Sequence, residues 1–239
     1  SGADMAVQLD APKGMAIVGD TLYVADLTVV RKFDRTTGAS LGTITITNGG
    51  NAVGGISTIG WDGDSFWTSD YSGSNQAYQV DPTTGAVVKT VTLSQSQGFY
   101  DGLEYFNGKL IANRFDGGLG GGNQYSVYDT NGNLLVKDFI DTTGHGNGTG
   151  IAFDGTDFWI ADIRNARVTQ WSGTTGSYIG ALTLIGTQNL IEDLSFDYEA
   201  RTDTCRVNCN PNTVPEPASL SLLGLALVGL VGFRRSRQA

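Results

Sequence analysis

Residues 150–162 read Gly150-Ile151-Ala152-Phe153-Asp154-Gly155-Thr156-Asp157-Phe158-Trp159-Ile160-Ala161-Asp162, two apolar runs of strand length around an Asp-Gly turn. The pattern recurs. It appears as Gly14-Met15-Ala16-Ile17-Val18-Gly19-Asp20-Thr21-Leu22-Tyr23-Val24-Ala25-Asp26, as Ile59-Gly60-Trp61-Asp62-Gly63-Asp64-Ser65-Phe66-Trp67-Thr68-Ser69-Asp70, and as Gly102-Leu103-Glu104-Tyr105-Phe106-Asn107-Gly108-Lys109-Leu110-Ile111-Ala112-Asn113. Asp193-Leu194-Ser195-Phe196-Asp197 is a degenerate fifth start.

A second turn follows each of the first four copies: Asp34-Arg35-Thr36-Thr37-Gly38, Asp81-Pro82-Thr83-Thr84-Gly85, Asp129-Thr130-Asn131-Gly132 and Ser172-Gly173-Thr174-Thr175-Gly176. Their last glycines are 47, 47 and 44 residues apart. A period in the mid-forties, with four short strands per unit and Gly or Asn where a turn needs positive φ, predicts an all-β β-propeller. Ala6-Val7-Gln8-Leu9 matches the outermost strands that precede later copies. The expectation is five four-stranded blades, the last taking its inner strands from residues 191–209 and its outer strand from the N-terminus, so that no edge stays open. Residues 5–209 resemble propellers of the NHL and YVTN type, a superfold that hosts hydrolases, lyases and binding modules alike and so selects no function.

The C-terminus is organised differently. Val214-Pro215-Glu216-Pro217 precedes an apolar run, Leu220 to Phe233, with six leucines among its nine strongly apolar residues, and Arg234, Arg235 and Arg237 close the chain. Fourteen residues at about 1.5 Å each reach roughly 21 Å, short of the roughly 30 Å hydrocarbon core, which suits a temporary span whose arginines stay cytoplasmic. A buried C-terminal helix is the bland alternative. These residues resemble the PEP-CTERM sorting signal of Gram-negative bacteria, also labelled an ice-binding-protein C-terminal domain. The resemblance implies export by way of a signal peptide, transient inner-membrane anchoring and processing by an exosortase in a cell that makes extracellular polysaccharide or biofilm. The domain reading is therefore a propeller over residues 1–210, a linker over 211–219, a short hydrophobic transmembrane helix over 220–233 and a basic tail over 234–239.

Composition agrees with an extracytoplasmic life. The chain begins at Ser1 without a hydrophobic leader, so a signal peptide is expected to have been removed or left out. Residues 1–210 hold 12 basic and 23 acidic side chains, a formal charge of −11, which argues against nucleic acid as a partner. Cys205 and Cys209 are the only cysteines, and with one histidine in the chain they cannot build a four-ligand zinc site. An oxidising compartment lets them close a small disulfide, the expected state, with free thiols as the alternative.

Candidate chemistry gathers at one mouth of the ring, where the inter-blade loops and the turns between strands two and three meet. Asp26, Asp70 and Asp162 recur with the repeat, and bonding turn amides is the favoured role over ligand binding. Glu104 stands in register with Ala16, Gly60, Ala152 and Ser195, a carboxylate among small inner-strand residues. Together with Asp101, Glu192 and Asp193 it forms a candidate Ca²⁺ site of the kind found in the lactonase-type propellers this fold resembles, with solvated channel acids as the alternative. His145, the sole histidine, lies in Gly144-His145-Gly146-Asn147-Gly148 and is the one candidate general base. No Gly-x-Ser-x-Gly elbow accompanies it. Phe66-Trp67 and Phe158-Trp159 read as packing between blades before they read as sugar-stacking surfaces. The leading expectation is a surface or matrix module binding exopolysaccharide or a surface protein. The second is a metal-dependent lactonase or lyase.

Overall fold

The computed structural model describes residues 9–69, 74–94, 101–114, 124–184 and 191–200. Four antiparallel four-stranded sheets account for most of them. The first holds β1 (Pro12–Val18), β2 (Thr21–Asp26), β3 (Val29–Asp34) and β4 (Ser40–Thr45), followed by a small hairpin of β5 (Thr47–Asn48) and β6 (Asn51–Ala52). The second holds β7 (Gly60–Trp61), β8 (Phe66–Ser69), β9 (Gln76–Val80) and β10 (Val87–Thr92). The third holds β11 (Leu103–Phe106), β12 (Lys109–Arg114), β13 (Gln124–Asp129) and β14 (Leu134–Asp141), and the fourth β15 (Gly148–Phe153), β16 (Asp157–Asp162), β17 (Arg167–Ser172) and β18 (Tyr178–Thr183). In every sheet sequence order is spatial order, the meander of a propeller blade.

Local chemistry explains the turns. Asp62 Oδ1 accepts the amides of Asp64 and Ser65 while Oδ2 accepts the Trp67 indole at 2.8 Å. Asp154 repeats this with Thr156, Asp157 and the Trp159 indole at 2.6 Å. One carboxylate thus shapes the turn and orients the ring beside it. At the outer hairpins Asp34, Asp81 and Asp129 each accept amides two and three or four residues on, and Ser172 does so through its hydroxyl. The closing glycines 38, 85, 132 and 176 all have φ between 69° and 85°. Three of them admit no side chain for a second reason: a Cβ would lie 2.2 Å from Thr45 O at Gly85, 2.3 Å from Thr92 O at Gly132 and 1.8 Å from Phe139 O at Gly176. Each such turn abuts the outer strand of the preceding sheet, which is why the repeat demands glycine there.

After each turn the register slips by one residue, at Leu41, Val88, Leu135 and Ile179. These four occupy the bulged position of their outer strands and are all about half exposed. A bulge twists an edge strand away from a would-be partner.

Packing follows the seams between sheets. Val30 and Ile44 meet Phe66 and Val80 between the first two sheets. Trp67 and Val91 meet Leu103 and Tyr128 at the next seam, and Ile111 and Tyr125 meet Phe158 and Trp171 at the third. Leu22, Val24 and Phe33 form a smaller cluster on the other face of the first sheet, covered by Leu9, Met15 and Ile17.

The inner ring is completed by a segment that is not a regular strand. Residues 191–198 lie between β15 and β1: the Gly150 amide donates to Glu192 O, and the Tyr198 amide donates to Ile17 O. Along the same edge Asp193 Oδ2, Ser195 Oγ and Asp197 Oδ1 accept the amides of Met15, Ile17 and Gly19. Alternate side chains of the segment thereby satisfy alternate amides of β1 and of the turn that follows it. The architecture is thus all-β and propeller-like with four four-stranded sheets among the described residues, against an expectation of five blades. The degenerate fifth copy occupies the inner position, but its side chains take over bonds that a strand backbone would make, and a turn begins at Tyr198. The N-terminal strand Ala6 to Leu9 falls outside the described residues except for Leu9. Among the described residues no helix is long and apolar enough to cross a membrane. The helix expected over 220–233 lies outside them, as do Cys205, Cys209 and the sorting residues Val214, Pro215, Glu216, Pro217, Arg234, Arg235 and Arg237.

Candidate functional site

Glu104 sits on β11 with Ala16 and Ala152 as its buried counterparts in the first and fourth sheets. Its carboxylate is only 1% exposed and accepts the Tyr198 hydroxyl, 2.9 Å from Oε1 and 2.8 Å from Oε2. Tyr198, also 1% exposed, reaches from the closing segment across to the third sheet and fills the space that small residues leave at the centre.

The other three acids surround this pair without converging on one point. Asp193 Oδ2 takes the Met15 amide at 2.8 Å. Enclosure and the nearby charges of Glu104 and Glu192 push its carboxyl well above the usual range, although amides of Met15 and Leu194 pull the other way. Glu192 faces the Lys13 ammonium at 3.7 Å. Asp101 is raised to about 6, by burial first; Lys13 opposes the rise and Glu192 adds to it. Among the described residues no three His, Cys, Asp or Glu side chains gather in a metal-holding group.

Beside these acids lies a polar patch that the sequence reading passed over. Asn113 on β12 and Tyr125 on β13 are cross-strand partners, and Thr149 on β15 faces them from the fourth sheet. Asn113 Oδ1 accepts the amides of Asp101 and Gly102, and the Tyr125 hydroxyl donates to Thr149 O. The only legible signal was polarity at Asn113, two residues after the core position Ile111.

Asp26 and Asp162, two of the recurring aspartates, are buried and fully engaged. Asp26 accepts the amides of Asp10 and Ala11 and the Arg31 guanidinium; burial alone would raise its carboxyl, but these bonds hold it low. Asp162 does the same with Asn147, Arg164, Asn165 and Arg167, and is likewise held low against burial. Arg167 also donates to His145 O, so the histidine loop is tied to the fourth sheet. Asp70 is outside the described residues.

His145 stacks on Tyr178 with centroids 3.9 Å apart and meets Trp171 edge-on at 5.5 Å. That places it in an aromatic group with Trp171 and Tyr178. Trp67 and Phe158 are core, as their position in the repeat suggests. Trp159 is half-buried, because it faces the closing segment, where Phe196 supplies a ring 6.2 Å away in place of a full sheet.

Comparison with known proteins separates the two parts of the chain. A search of curated proteins finds no match. Among solved structures, the Myxococcus xanthus glutaminyl cyclase is similar with a TM-score of 0.51 and 13% identity, over 71% of this chain and 69% of that one. The Kuenenia stuttgartiensis hydrazine synthase follows with a TM-score of 0.48 and 14% identity, over 77% of this chain and 52% of that one. At such identities the first likeness speaks to the fold and to nothing else. Residues 213–237 match the PEP-CTERM protein-sorting motif. The chain thus carries a PEP-CTERM protein-sorting motif at its C-terminal end and, ahead of it, a β-propeller-like ring of small sheets.

Proposed function

We propose that this is an exported, exosortase-processed propeller of the cell surface or extracellular matrix, which binds exopolysaccharide or a surface protein through the mouth of its ring. The sorting motif at residues 213–237 carries the reading, since such a signal implies recognition by an exosortase, export and a membrane-anchored intermediate. The short apolar run and its trailing arginines suit an anchor released by one cut. In this reading residues 191–200 belong to a fifth blade completed by the N-terminal strand, and Cys205 and Cys209 are paired as a disulfide.

A binding role is supported by the chemistry at the mouth. The one histidine is packed between aromatic rings, and Asp26 and Asp162 spend their oxygens on amides and arginines. The second reading, a Ca²⁺-dependent lactonase or lyase using Glu104, Glu192 and Asp193 with His145 as base, draws on the proximity of Glu104 and Asp193. It ranks lower because Tyr198 caps Glu104 and the His145 ring is stacked on Tyr178.

The test is the mass of the protein recovered from the surface or medium of a native host, together with its binding to that host's purified extracellular polysaccharide. A released form lacking the residues after the Pro-Glu-Pro motif, retained on the polysaccharide, agrees with the proposal. A released form that still ends in Arg237-Gln238-Ala239 defeats the processing claim. Turnover of a lactone that stops on Ca²⁺ removal favours the enzyme.

A further inference from the structure

We propose that the open face of the fourth sheet is a stacking subsite for a neutral saccharide chain, with a pyranose lying on Trp159 between Phe196 and Gln170 and the chain continuing over Gly180. The inference rests on the saccharide-binding reading above and adds to the mouth a second contact, in the seam that follows the fourth sheet.

Trp159, Gln170 and Gly180 are direct cross-strand partners on β16, β17 and β18, so they form one row on one face. The register slip of this sheet lies beyond the row, between Gln170 and Trp171. The second sheet has the same row in Trp67, Gln79 and Lys89. There the next sheet covers it: Trp67 is 1% exposed among Leu103, Leu110 and Tyr128, and Lys89 Nζ donates to Thr130 O at 2.7 Å. The fourth sheet has no such cover among the described residues. Two residues nearer the mouth, Leu182 pairs with Val168 as Ile44 pairs with Val30, Val91 with Ala77 and Ile140 with Tyr125. The other three are at most 5% exposed, while Leu182 is 56% exposed. A Cβ on Gly180 would meet nothing within 4 Å. Leu9, the described end of the N-terminal strand, packs with Leu22, Val24 and Phe33, so it faces the first sheet and not the fourth.

The side chains of the row select the ligand. The indole of Trp159 is fixed in orientation, because Nε1 donates to Asp154 Oδ2, and the exposed ring of Phe196 stands beside it at an inclination of 58°. A held aromatic face, negative at its centre, takes the C–H face of a pyranose. Gln170 Nε2 is spent on Asp157 Oδ2 at 2.8 Å, which leaves its carbonyl oxygen as the acceptor for a sugar hydroxyl. Gly180 leaves room for the next sugar. The charges that border the row are the carboxylates of Asp154 and Asp157, so an anionic polysaccharide is repelled and a neutral one is not. A peptide strand fits less well, since it binds through unpaired main-chain groups at a sheet edge and this face presents side chains.

The experiment uses the full chain in mild detergent, ¹⁵N-labelled at tryptophan, and follows the Trp159 indole N–H, assigned through Trp159→Phe. A soluble nitroxide radical reports how exposed each indole is. In the free protein the Trp159 signal should broaden more than that of Trp67. Equal protection of the two overturns the proposal in favour of cover by the N-terminal segment or the residues after Ala200, and protection that grows with protein concentration overturns it in favour of a second copy. The protein is then titrated with cellohexaose, maltohexaose, mannohexaose and the host's purified polysaccharide, with polygalacturonate as the anionic probe. A saturable shift with a neutral chain is expected, weakened about tenfold in Gly180→Val, which fills the space above the row, breaks no side-chain contact and suits a strand. Polygalacturonate bound as tightly as the neutral chains overturns the choice of ligand. If the host polysaccharide binds wild type and Gly180→Val equally and leaves the Trp159 signal unmoved, the subsite falls while the saccharide reading stands. If it does not bind wild type at all, that reading fails and the subsite with it.

Discussion

The hydroxyl of Tyr198 donates to the carboxylate of Glu104 across the centre of the ring, 2.9 and 2.8 Å from its two oxygens, although the two residues are 94 positions apart in sequence. The bond joins the closing segment to the third sheet, although the segment's backbone pairs with the fourth and the first. Tyr198→Phe takes the donor from a buried carboxylate and should cost about 1–3 kcal/mol in urea unfolding. A double-mutant cycle with Glu104→Gln isolates the pair; strictly additive losses would show that the contact contributes nothing.

Closure can be probed from the fourth sheet. A Cβ on Gly150 would come within 2.2 Å of Asp193 Oδ1 and 2.6 Å of Glu192 O, so Gly150→Ala must displace the closing segment. A loss of about 1–3 kcal/mol is expected, in the range of overpacked cores. Gly54, which has nothing within 4 Å of its would-be Cβ, is the control, and its alanine variant should stay within about 0.5 kcal/mol. Equal effects at both glycines would argue against a tight seam at 191–193.

Asp101 predicts a pH dependence with a definite sign. Its folded pKa of about 6 stands above the ordinary 3.8, so the native state holds the proton more tightly than the unfolded chain. The stabilisation it gives is full below about pH 4 and is lost as pH rises through about 6. Asp193, also raised, acts in the same direction. Asp26 and Asp162 are held low and act oppositely, but they lose their contribution only as pH falls below the ordinary carboxylate range. Melting temperature measured from pH 4 to 7 should therefore decline less in Asp101→Asn than in wild type. Parallel curves for the two proteins would refute the assignment.

Asp154 makes three bonds from one turn, to the amides of Thr156 and Asp157 and to the Trp159 indole. Asp154→Ala should cost about 1–3 kcal/mol. Because Trp159 is already half-buried, its freed indole should also become more accessible to iodide quenching. A destabilised variant with unchanged quenching would mean that packing against Phe196, and not the carboxylate, holds the ring.

The repeat of two apolar strands around an Asp-Gly turn, with a left-handed glycine closing each outer hairpin, determined the sheets, their order and the seams between them. Those features depend on bonds within a few residues and on a side-chain period of two, so they are written locally. The sorting motif was legible for the same reason, being a contiguous run of residue types with a physical task each. The tertiary structure alone decided how the ring is closed. Nothing local in Asp193-Leu194-Ser195-Phe196-Asp197 says that its side chains, and not its backbone, will satisfy the amides of β1. It also decided which polar residues are confined together. Glu104 stood out in the repeat by its charge, but its partner Tyr198 did not. Their meeting joins an inner strand of the third sheet to a segment 94 residues later, a relation that no short-range pattern encodes.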